Sequence, residues 1–247
     1  MAPRKRLFFD IETSPNIGFF WESGHEISVD SHNIIAERKI ICIGYKWAGE
    51  KAVRCPTWDS RQNDRRLLEE FVPVFNAADE VIAHNGDRFD IPWVRTRCLI
   101  HGIDMVPNPA SIDTLKAARG RFNFNSNRLD YIAKYLGLGG KLPTGFDLWK
   151  RVVLNKDGAA LSKMVRYCKR DVVLLEKVWD KINIYLPAKT HIGRERSDCP
   201  ECGSARTVIS RHKVTAAGFK QTQLRCKDCG KFHSVPTSVL MKERGDG

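Results

Sequence analysis

The sequence predicts an α/β fold with a mixed β-sheet flanked by helices, followed by a small C-terminal unit. Strand-like segments come first along the chain and then mix with helical ones, which is the order expected of such a sheet. A length of 247 residues with 42% hydrophobic content is enough for one domain with a sizeable core plus an appendage. We place the main domain at residues 1–190 and the linker and appendage at residues 191–247.

The first half of the chain supplies most of the predicted strands. Residues 6–14 have the composition of a strand, and residues 39–58 are predicted to form a two-stranded hairpin. Residues 64–78 carry apolar side chains at helical spacing, and Pro73 predicts a break or kink in that helix. A short strand at residues 80–84 follows.

The rest of the main domain is predicted to be mostly helical. Segments 90–102, 111–119 and 125–140 have helical character, and the last of them is stopped by glycines. The long amphipathic segment 161–186 closes the domain. The charged stretch 187–197 lacks periodicity and is typical of a linker.

The charge balance favours a polyanionic partner such as nucleic acid. Lys and Arg total 41 against 29 for Asp and Glu, a net charge of +12, although a basic surface can also serve solubility alone. No apolar run approaches the roughly 20 residues that cross a bilayer. The start of the chain has basic residues, but Asp10 and Glu12 follow in place of a signal-peptide apolar region, so we expect no signal peptide, no membrane partner and a cytoplasmic protein.

Two carboxylates lie inside the apolar segment LFFDIETS, at residues 7–14. Because side chains alternate along a strand, Asp10 and Glu12 project from the same face, where each loses hydration and repels the other. A hard divalent cation is an economical compensation for two such anions. The alternative is an edge strand that turns both carboxylates toward water.

Two further segments carry candidate acidic residues. In VIAHNGDRFD, at residues 81–90, a strand is followed by a glycine-containing turn, and Asp90 begins the next helix, where it could also serve as an N-cap. In YCKRD, Tyr167 and Asp171 are four residues apart and share one face of the long helix. The alternative for this pair is a surface tyrosine beside a solvated aspartate.

In this order, the three segments resemble the DEDD superfamily of 3′→5′ exonucleases, which have a ribonuclease H-like fold. The motif D-x-E is matched by Asp10 and Glu12, N-x-x-x-F-D by Asn85, Phe89 and Asp90, and Y-x-x-x-D by Tyr167 and Asp171. The tyrosine of the third motif places the likeness in the tyrosine branch. The resemblance covers about residues 6–180, and the sequence is similar to the proofreading domains of family B DNA polymerases and to small phage-type exonucleases.

The resemblance implies a set of functional residues. Two Mg²⁺ or Mn²⁺ ions would be held by Asp10, Glu12, Asp90 and Asp171, and the attacking water would be oriented by Tyr167. Asn85 and Phe89 would contact the terminal nucleotide, although Asn85 could simply form the turn and Phe89 could pack in the core. By analogy, the resemblance also implies a bacterial cell or a phage-infected host as the location.

The implied reaction is hydrolysis of terminal phosphodiesters of nucleic acid with release of nucleoside 5′-monophosphates, and single-stranded DNA is the expected substrate. An exoribonuclease acting on RNA 3′ ends is the alternative within enzymes, because the carboxylates do not distinguish the two sugars. A non-catalytic nucleic-acid-binding protein on this fold is the alternative outside enzymes. The complete set of motif residues disfavours it.

The eight cysteines fall into two sets. Four are scattered along the chain and are expected to be buried as small hydrophobes: Cys42, Cys55, Cys98 and Cys168. The other four form two C-x-x-C pairs, each followed by a glycine: Cys199, Cys202, Cys226 and Cys229. Such a set predicts one structural Zn²⁺ in tetrahedral coordination, with redox-active pairs as the alternative.

The region around the second set resembles a zinc ribbon. Residues 205–224 alternate as strands do, and residues 231–236 could return as a third strand. A unit this small has too little core to fold alone, so metal binding would supply much of its folding free energy. Its basic and aromatic side chains predict a nucleic-acid contact surface, with a merely stabilising or protein-binding ribbon as the alternative. These side chains are Arg206, Arg211, Lys213, Lys220, Arg225, Lys227, Lys231, Phe219, Phe232 and His233.

Overall fold

A four-stranded sheet forms the centre of the main domain in the computed structural model, which describes residues 4–22, 24 and 28–245. The strands before the C-terminal unit are, in chain order, β1 (Arg6–Thr13), β2 (Ile17–Gly18), β3 (Ile34–Ala36), β4 (Ile40–Trp47), β5 (Glu80–Ala83) and β6 (Ser111–Asp113). The central sheet has the order β4-β1-β5-β6. β4 is antiparallel to β1, whereas β5 and β6 run parallel to their neighbours, which confirms the predicted mixed sheet.

Helices cover both faces of this sheet. They are, in chain order, α1 (Arg65–Asn76), α2 (Asp90–His101), α3 (Thr114–Arg121), α4 (Leu129–Tyr135), α5 (Asp147–Val153) and α6 (Gly158–Ile182). On one face, Phe9 of β1 packs against Phe71 and Phe75 of α1, with ring centroids 5.6 and 5.7 Å apart. On the other face, Phe8 belongs to a buried cluster with Val172 of α6. Within the described ranges, no helix combines the length and apolar character needed to cross a membrane.

The predicted hairpin is wrong, and the helix break expected at Pro73 does not occur. The second strand of the predicted hairpin is absent from the described structure, where residues 51–58 meet β4 only at the isolated bridges Cys42–Thr57 and Tyr45–Arg54. Pro73 lies inside α1 without interrupting it, because it is on the exposed side of the helix near its end. Proline has no N–H to donate, and the carbonyl oxygen that therefore lacks a helical hydrogen bond can be hydrated on this exposed side.

The middle of the chain also differs from the prediction. Residues 111–113 form β6 instead of starting a helix, because they pair in parallel with β5. Asp113 then caps α3 by accepting a 2.9 Å hydrogen bond from the Leu115 N–H. The helix predicted at residues 125–140 is shorter, and α5 was not predicted at all.

The C-terminal unit is called the ribbon below. It contains β7 (Thr207–Val214), β8 (Lys220–Cys226), β9 (Phe232–Pro236) and α7 (Thr237–Arg244). The strands form an antiparallel sheet in the order β7-β8-β9, and the predicted third strand is confirmed. A small core joins this sheet to α7, which the sequence did not predict, through Leu224, Val235 and Leu240.

Charged side chains attach the ribbon to the main domain. Arg6 of β1 donates to Glu80 at 2.7 Å and to Glu201 of the ribbon at 2.6 Å. Lys231 Nζ of the ribbon donates to the carbonyl oxygen of Asn183, directly after α6, at 2.5 Å. The ribbon therefore lies beside the start of β1 and the end of α6.

Candidate active site

Three carboxylates from two elements meet on the α6 side of the sheet. Phe8 faces α6, so strand alternation places Asp10 and Glu12 on the same side. Asp171 projects from α6 toward them. Carboxylate oxygens of Asp10, Glu12 and Asp171 all lie within 4.8 Å of one another. The edge-strand alternative for Asp10 and Glu12 is wrong, because β1 is a central strand.

A glycine lets α6 approach the sheet at this point. Gly44 of β4 is paired with Asp10 across the ladder. A Cβ atom on Gly44 would lie 2.9 Å from Cys168 Sγ and 3.0 Å from a methyl carbon of Val172, both on α6. The Gly44 N–H also donates to Cys168 Sγ at 3.2 Å. The close approach holds Asp171, three residues after Cys168, beside β1.

Asp90 flanks this cluster from the other side of β1. It is 2% exposed, and its Oδ1 accepts a 3.1 Å hydrogen bond from the Ile11 N–H. That N–H is accessible because β5 pairs only with residues 6–8 of β1. Asp90 is the first residue of α2, whose N-cap is Phe89 without a side-chain hydrogen bond. Its side chain is therefore directed at β1, and the N-cap alternative is not what the structure contains.

Burial and mutual repulsion make the carboxylates hard to ionise. Burial raises the pKa of Glu12 to about 8, with Asp171 adding repulsion, and burial raises the pKa of Asp90 to about 7. The pKa of Asp10 is held well above its usual range by burial and by the Asp90 and Glu12 charges. Oδ1 of Asp171 is buried and has no hydrogen-bond partner within the described residues. The cluster therefore offers carboxylate oxygens whose negative charge is not fully balanced, and such hard oxygen ligands suit a divalent cation.

Lys141 brings a positive charge to this cluster, and none of the three sequence motifs contains it. Its Nζ donates to Asp171 Oδ2 at 2.5 Å and to Tyr167 Oη at 3.3 Å. Burial alone would lower the pKa of Lys141, but the Asp171 and Asp10 charges raise it above its ordinary value. Lys141 lies in an irregular loop after Gly139 and Gly140, where no periodicity indicates the direction of a side chain.

Tyr167 is placed at the edge of the cluster. Burial and the Asp171 charge raise its pKa to about 12, so its hydroxyl stays protonated at neutral pH. The ring of Trp149, on α5, lies edge-on at 6.5 Å between centroids. Trp149 is itself anchored by a 3.1 Å hydrogen bond from Nε1 to the Thr13 carbonyl oxygen. The α5 helix therefore supplies a side chain that lies outside the three sequence motifs.

A cavity of about 440 Å³ opens beside Glu12. Phe89, Phe146 and Trp149 contribute aromatic side chains to its wall, and Arg38 contributes a cation. Phe89 also packs against the buried core, as the core-packing alternative expects, and its contact with a nucleotide stays a prediction.

Asn85 does not line the cavity. It adopts a left-handed conformation with φ of 70°, and its N–H donates to Asp113 Oδ1 at 3.0 Å. Asn85 therefore forms the turn, as the alternative interpretation of this residue expects.

The four clustered cysteines converge in the ribbon. Sγ atoms of Cys199 and Cys229 are 3.5 Å apart, those of Cys202 and Cys226 are 3.6 Å apart, and all four lie within 4.8 Å of one another. Gly203 has φ of 72°, a left-handed turn that lets its N–H bond back to the Cys199 carbonyl oxygen. Four converging thiols fit a tetrahedral soft-metal site.

A second group of thiols was not expected. Cys42, Cys55 and Cys168, scattered in the sequence, lie with their sulfur atoms within 4.8 Å of one another. Cys42 and Cys168 are fully buried and Cys55 is partly buried, as expected of small hydrophobic side chains.

Comparison with known proteins agrees with this architecture. A DNA polymerase from Thermococcus litoralis is 32% identical over 112 residues, which is 41% of this chain and 6% of that polymerase. A DNA polymerase from Methanocaldococcus jannaschii is 28% identical over 71 residues, or 29% of this chain and 4% of that polymerase. The chain thus spans a small fraction of the polymerases it matches.

Solved structures and family models extend the comparison to the fold. The family B DNA polymerase from the hyperthermophilic archaeon Pyrobaculum calidifontis superposes with a TM-score of 0.58 at 18% identity, covering 74% of this chain and 25% of that chain. A family model described as the RNase_H superfamily matches residues 32–183, more than half of the sequence. The chain therefore belongs to the RNase H superfamily.

Proposed function

We propose that this protein is a metal-dependent 3′→5′ exonuclease that hydrolyses terminal phosphodiesters of single-stranded DNA and releases nucleoside 5′-monophosphates. The observation that carries the proposal is the convergence of Asp10, Glu12 and Asp171 oxygens within 4.8 Å, beside a cavity with aromatic walls. Membership of the RNase H superfamily supports nuclease chemistry at such a site. The relatives are DNA polymerases, which favours DNA over RNA as the substrate.

Asp10, Glu12, Asp90 and Asp171 would hold two Mg²⁺ or Mn²⁺ ions. When bound there, these cations would supply charge neutralisation, activation of water and stabilisation of the leaving oxygen. The high pKa values of the carboxyls support this assignment, because a bound cation offsets the cost of ionising buried acids.

Tyr167 and Lys141 would act on the water and the phosphate. With a pKa of about 12, Tyr167 is a hydrogen-bonding group and not a general base, so it would orient the attacking water through its hydroxyl. Lys141 Nζ, held between Asp171 and Tyr167, would place a positive charge where negative charge grows on the phosphate during attack.

The cavity beside Glu12 would receive the terminal nucleotide. The rings of Phe89, Phe146 and Trp149 offer apolar faces to a base, and Arg38 offers a cation to a phosphate. These groups recognise a base and a phosphate without reading the sugar, so an exoribonuclease stays the second candidate within the same chemistry.

The four ribbon cysteines would hold one structural Zn²⁺. All four positions of a tetrahedron are filled by sulfur, so we assign no catalytic role to this metal.

The experiment is a time course on single-stranded oligonucleotides with Mg²⁺ or Mn²⁺. A 5′-labelled strand should shorten progressively, a 3′-labelled strand should release labelled mononucleotide at once, and a circular strand should resist. An Asp10→Asn variant with an unchanged circular dichroism spectrum should be inactive. An RNA oligonucleotide of the same sequence, assayed in the same way, tests the second candidate, an exoribonuclease. Cleavage of the circular strand, or full activity of Asp10→Asn, would overturn the proposal.

A further inference from the structure

One face of the ribbon sheet is covered and the other is open. Along β8, Thr222, Leu224 and Cys226 are buried, whereas the side chains between them are not. Leu224 packs with Val235 and with Leu240 of α7, so α7 covers the face to which Leu224 belongs. The opposite face, called the free sheet face below, carries the alternate residues of all three strands.

The strand register identifies the residues of the free sheet face. Arg225 of β8 is paired with Val208 and Phe232, and Gln223 is paired with Arg211 and Ser234. Gln221 is paired with Lys213 and Pro236. Partners opposite each other in a ladder project to the same side. The face therefore presents three cations and two amides, and none of its paired residues carries a carboxylate.

Planar groups accompany the cations. The Phe232 side chain is 45% exposed, and the Arg225 guanidinium carbon lies 5.8 Å from the centroid of its ring. Phe219, directly before β8, is 70% exposed. Aromatic rings and guanidinium planes are the groups on which unpaired bases stack.

Other basic or imidazole side chains of the ribbon have partners away from this face. Lys231 is 2% exposed and is held by the Asn183 carbonyl oxygen. Arg206 is paired with Asp228 at 2.8 Å. His233 lies next to Ser197, whose carbonyl oxygen is 3.3 Å from its Nε2. Lys220 is paired with Val214 in the alternate row, and Lys227 follows β8, so the cations of the free sheet face are a defined subset of the basic residues of the ribbon.

We propose that the free sheet face binds single-stranded nucleic acid, with phosphates contacting Arg211, Lys213 and Arg225 and a base stacking on Phe232. Charge complementarity selects a polyanion, and the exposed planar groups select one with unpaired bases. The proposal rests on the proposed function in one respect: the bound strand would be the nuclease substrate, held away from its 3′ end.

The position of the ribbon explains why such a surface would matter only for long substrates. The ribbon meets β1 at Arg6, four residues before Asp10, which is about 13 Å along a strand. A substrate confined to the catalytic cluster cannot reach the ribbon. A longer strand would extend past it to the free sheet face, and the added contacts would lower its KM without changing the chemical step.

The test compares two triple variants of the full-length protein. R211A/K213A/R225A, called the face triple below, removes the cations of the free sheet face. K51A/K181A/K242A, called the control triple, removes exposed lysines elsewhere and serves as the matched control. Binding of a fluorescent oligothymidylate is measured in an Asp10→Asn background, with zinc content and circular dichroism as fold checks. Activity is measured in the active background on the same oligonucleotide and on the p-nitrophenyl ester of thymidine 5′-monophosphate.

The face triple should bind the oligonucleotide at least tenfold more weakly, and the slope of log K against log salt should fall by about 2, since each lost single-strand contact accounts for about 0.7. The control should change binding less than twofold. Phe232→Ala, which leaves the charges in place, should weaken binding about fivefold or more with an unchanged salt slope. The face triple should cleave the p-nitrophenyl ester like the wild type.

Equal binding by the face triple and the wild type would overturn the inference, as would equal losses in both triples. Displacement of the oligonucleotide by poly-glutamate of matched charge as readily as by unlabelled strand would assign the face to an acidic protein segment instead. A wild type that cleaves neither the ester nor the oligonucleotide would refute the proposed function, and the binding comparison would still decide the role of this face.

Discussion

Lys141 Nζ lies 2.5 Å from Asp171 Oδ2, although the two residues are 30 positions apart in the chain. Lys141 comes from a loop and Asp171 from α6, and their contact places a positive charge among buried carboxylates. The pair links the acidic cluster to Tyr167, which accepts a hydrogen bond from the same ammonium group. This arrangement leads to the first prediction.

Lys141→Ala is expected to lower kcat about 100-fold with a smaller change in KM, because it removes a preorganised donor and charge from the reacting phosphate. Lys141→Arg should restore part of the activity. Lys134→Ala is the matched control, since Lys134 forms an exposed pair with Asp130 one loop away. Steady-state kinetics on a labelled oligonucleotide measure these effects. An unchanged kcat in Lys141→Ala would show that the lysine serves only to neutralise Asp171.

Stability without Mg²⁺ or Mn²⁺ is expected to fall as the pH rises from about 5 to about 8. Burial raises the pKa of Glu12 to about 8 and that of Asp90 to about 7. The folded state therefore keeps protons that the unfolded chain has already released near pH 4. Each of these two carboxyls therefore stabilises the fold at low pH. Above about pH 4, each lowers the free energy of unfolding by up to about 1.4 kcal/mol per pH unit.

Denaturant unfolding at several pH values measures this slope. Asp90→Asn should reduce it, because the amide does not titrate in this range. Added Mg²⁺ or Mn²⁺ should flatten it, because bound cations compete with the protons. A slope that is the same in Asp90→Asn and in the wild type would contradict the assignment.

Gly44→Val is expected to reduce activity strongly and to lower the melting temperature. Its side chain would begin 2.9 Å from Cys168 Sγ, so α6 must move away from the sheet and carry Asp171 with it. Overpacking of this kind costs about 1–3 kcal/mol. Gly120→Ala is the control, because a Cβ there meets nothing within 4 Å. The measurements are thermal unfolding and kcat, and an active Gly44→Val protein would show that the close approach is dispensable.

Cys226→Ser is expected to abolish binding of about one zinc ion per chain and to loosen the ribbon. Loss of one thiolate from a tetrahedral site removes both a ligand and the folding free energy that the metal supplies. Cys98→Ser is the control, since Cys98 is buried apart from the cluster. Metal analysis by mass spectrometry and proteolysis of the ribbon check the result. Full zinc content in Cys226→Ser would refute the four-cysteine site.

The candidate site was partly predictable because some of its geometry is local. The alternation of side chains in a strand puts Asp10 and Glu12 on one face, and helical periodicity puts Tyr167 and Asp171 on another. The spacing of the C-x-x-C pairs likewise predicts a local knuckle at each glycine. Each of these relationships spans only a few residues.

Other features depend on contacts that local patterns do not encode. Residues 111–113 form a strand because β5 is beside them, not because of their own composition. Trp149 reaches Tyr167 from α5, a short helix that gave no clear periodic signal. The free sheet face became definable only when the register of β7, β8 and β9 separated its cations from Lys231 and Arg206.

By itself, the sequence determined the fold class, the motif residues and the cysteine set, because residue type and short spacing carry those properties. Only the tertiary structure decided that Lys141 pairs with Asp171 and that Gly44 lets α6 pack close to the sheet. It also decided that Asp90 accepts a hydrogen bond from the Ile11 N–H instead of capping α2. The physical reason is that burial and charge compensation arise between segments distant in the chain. Their free energies depend on where the packed elements place each side chain.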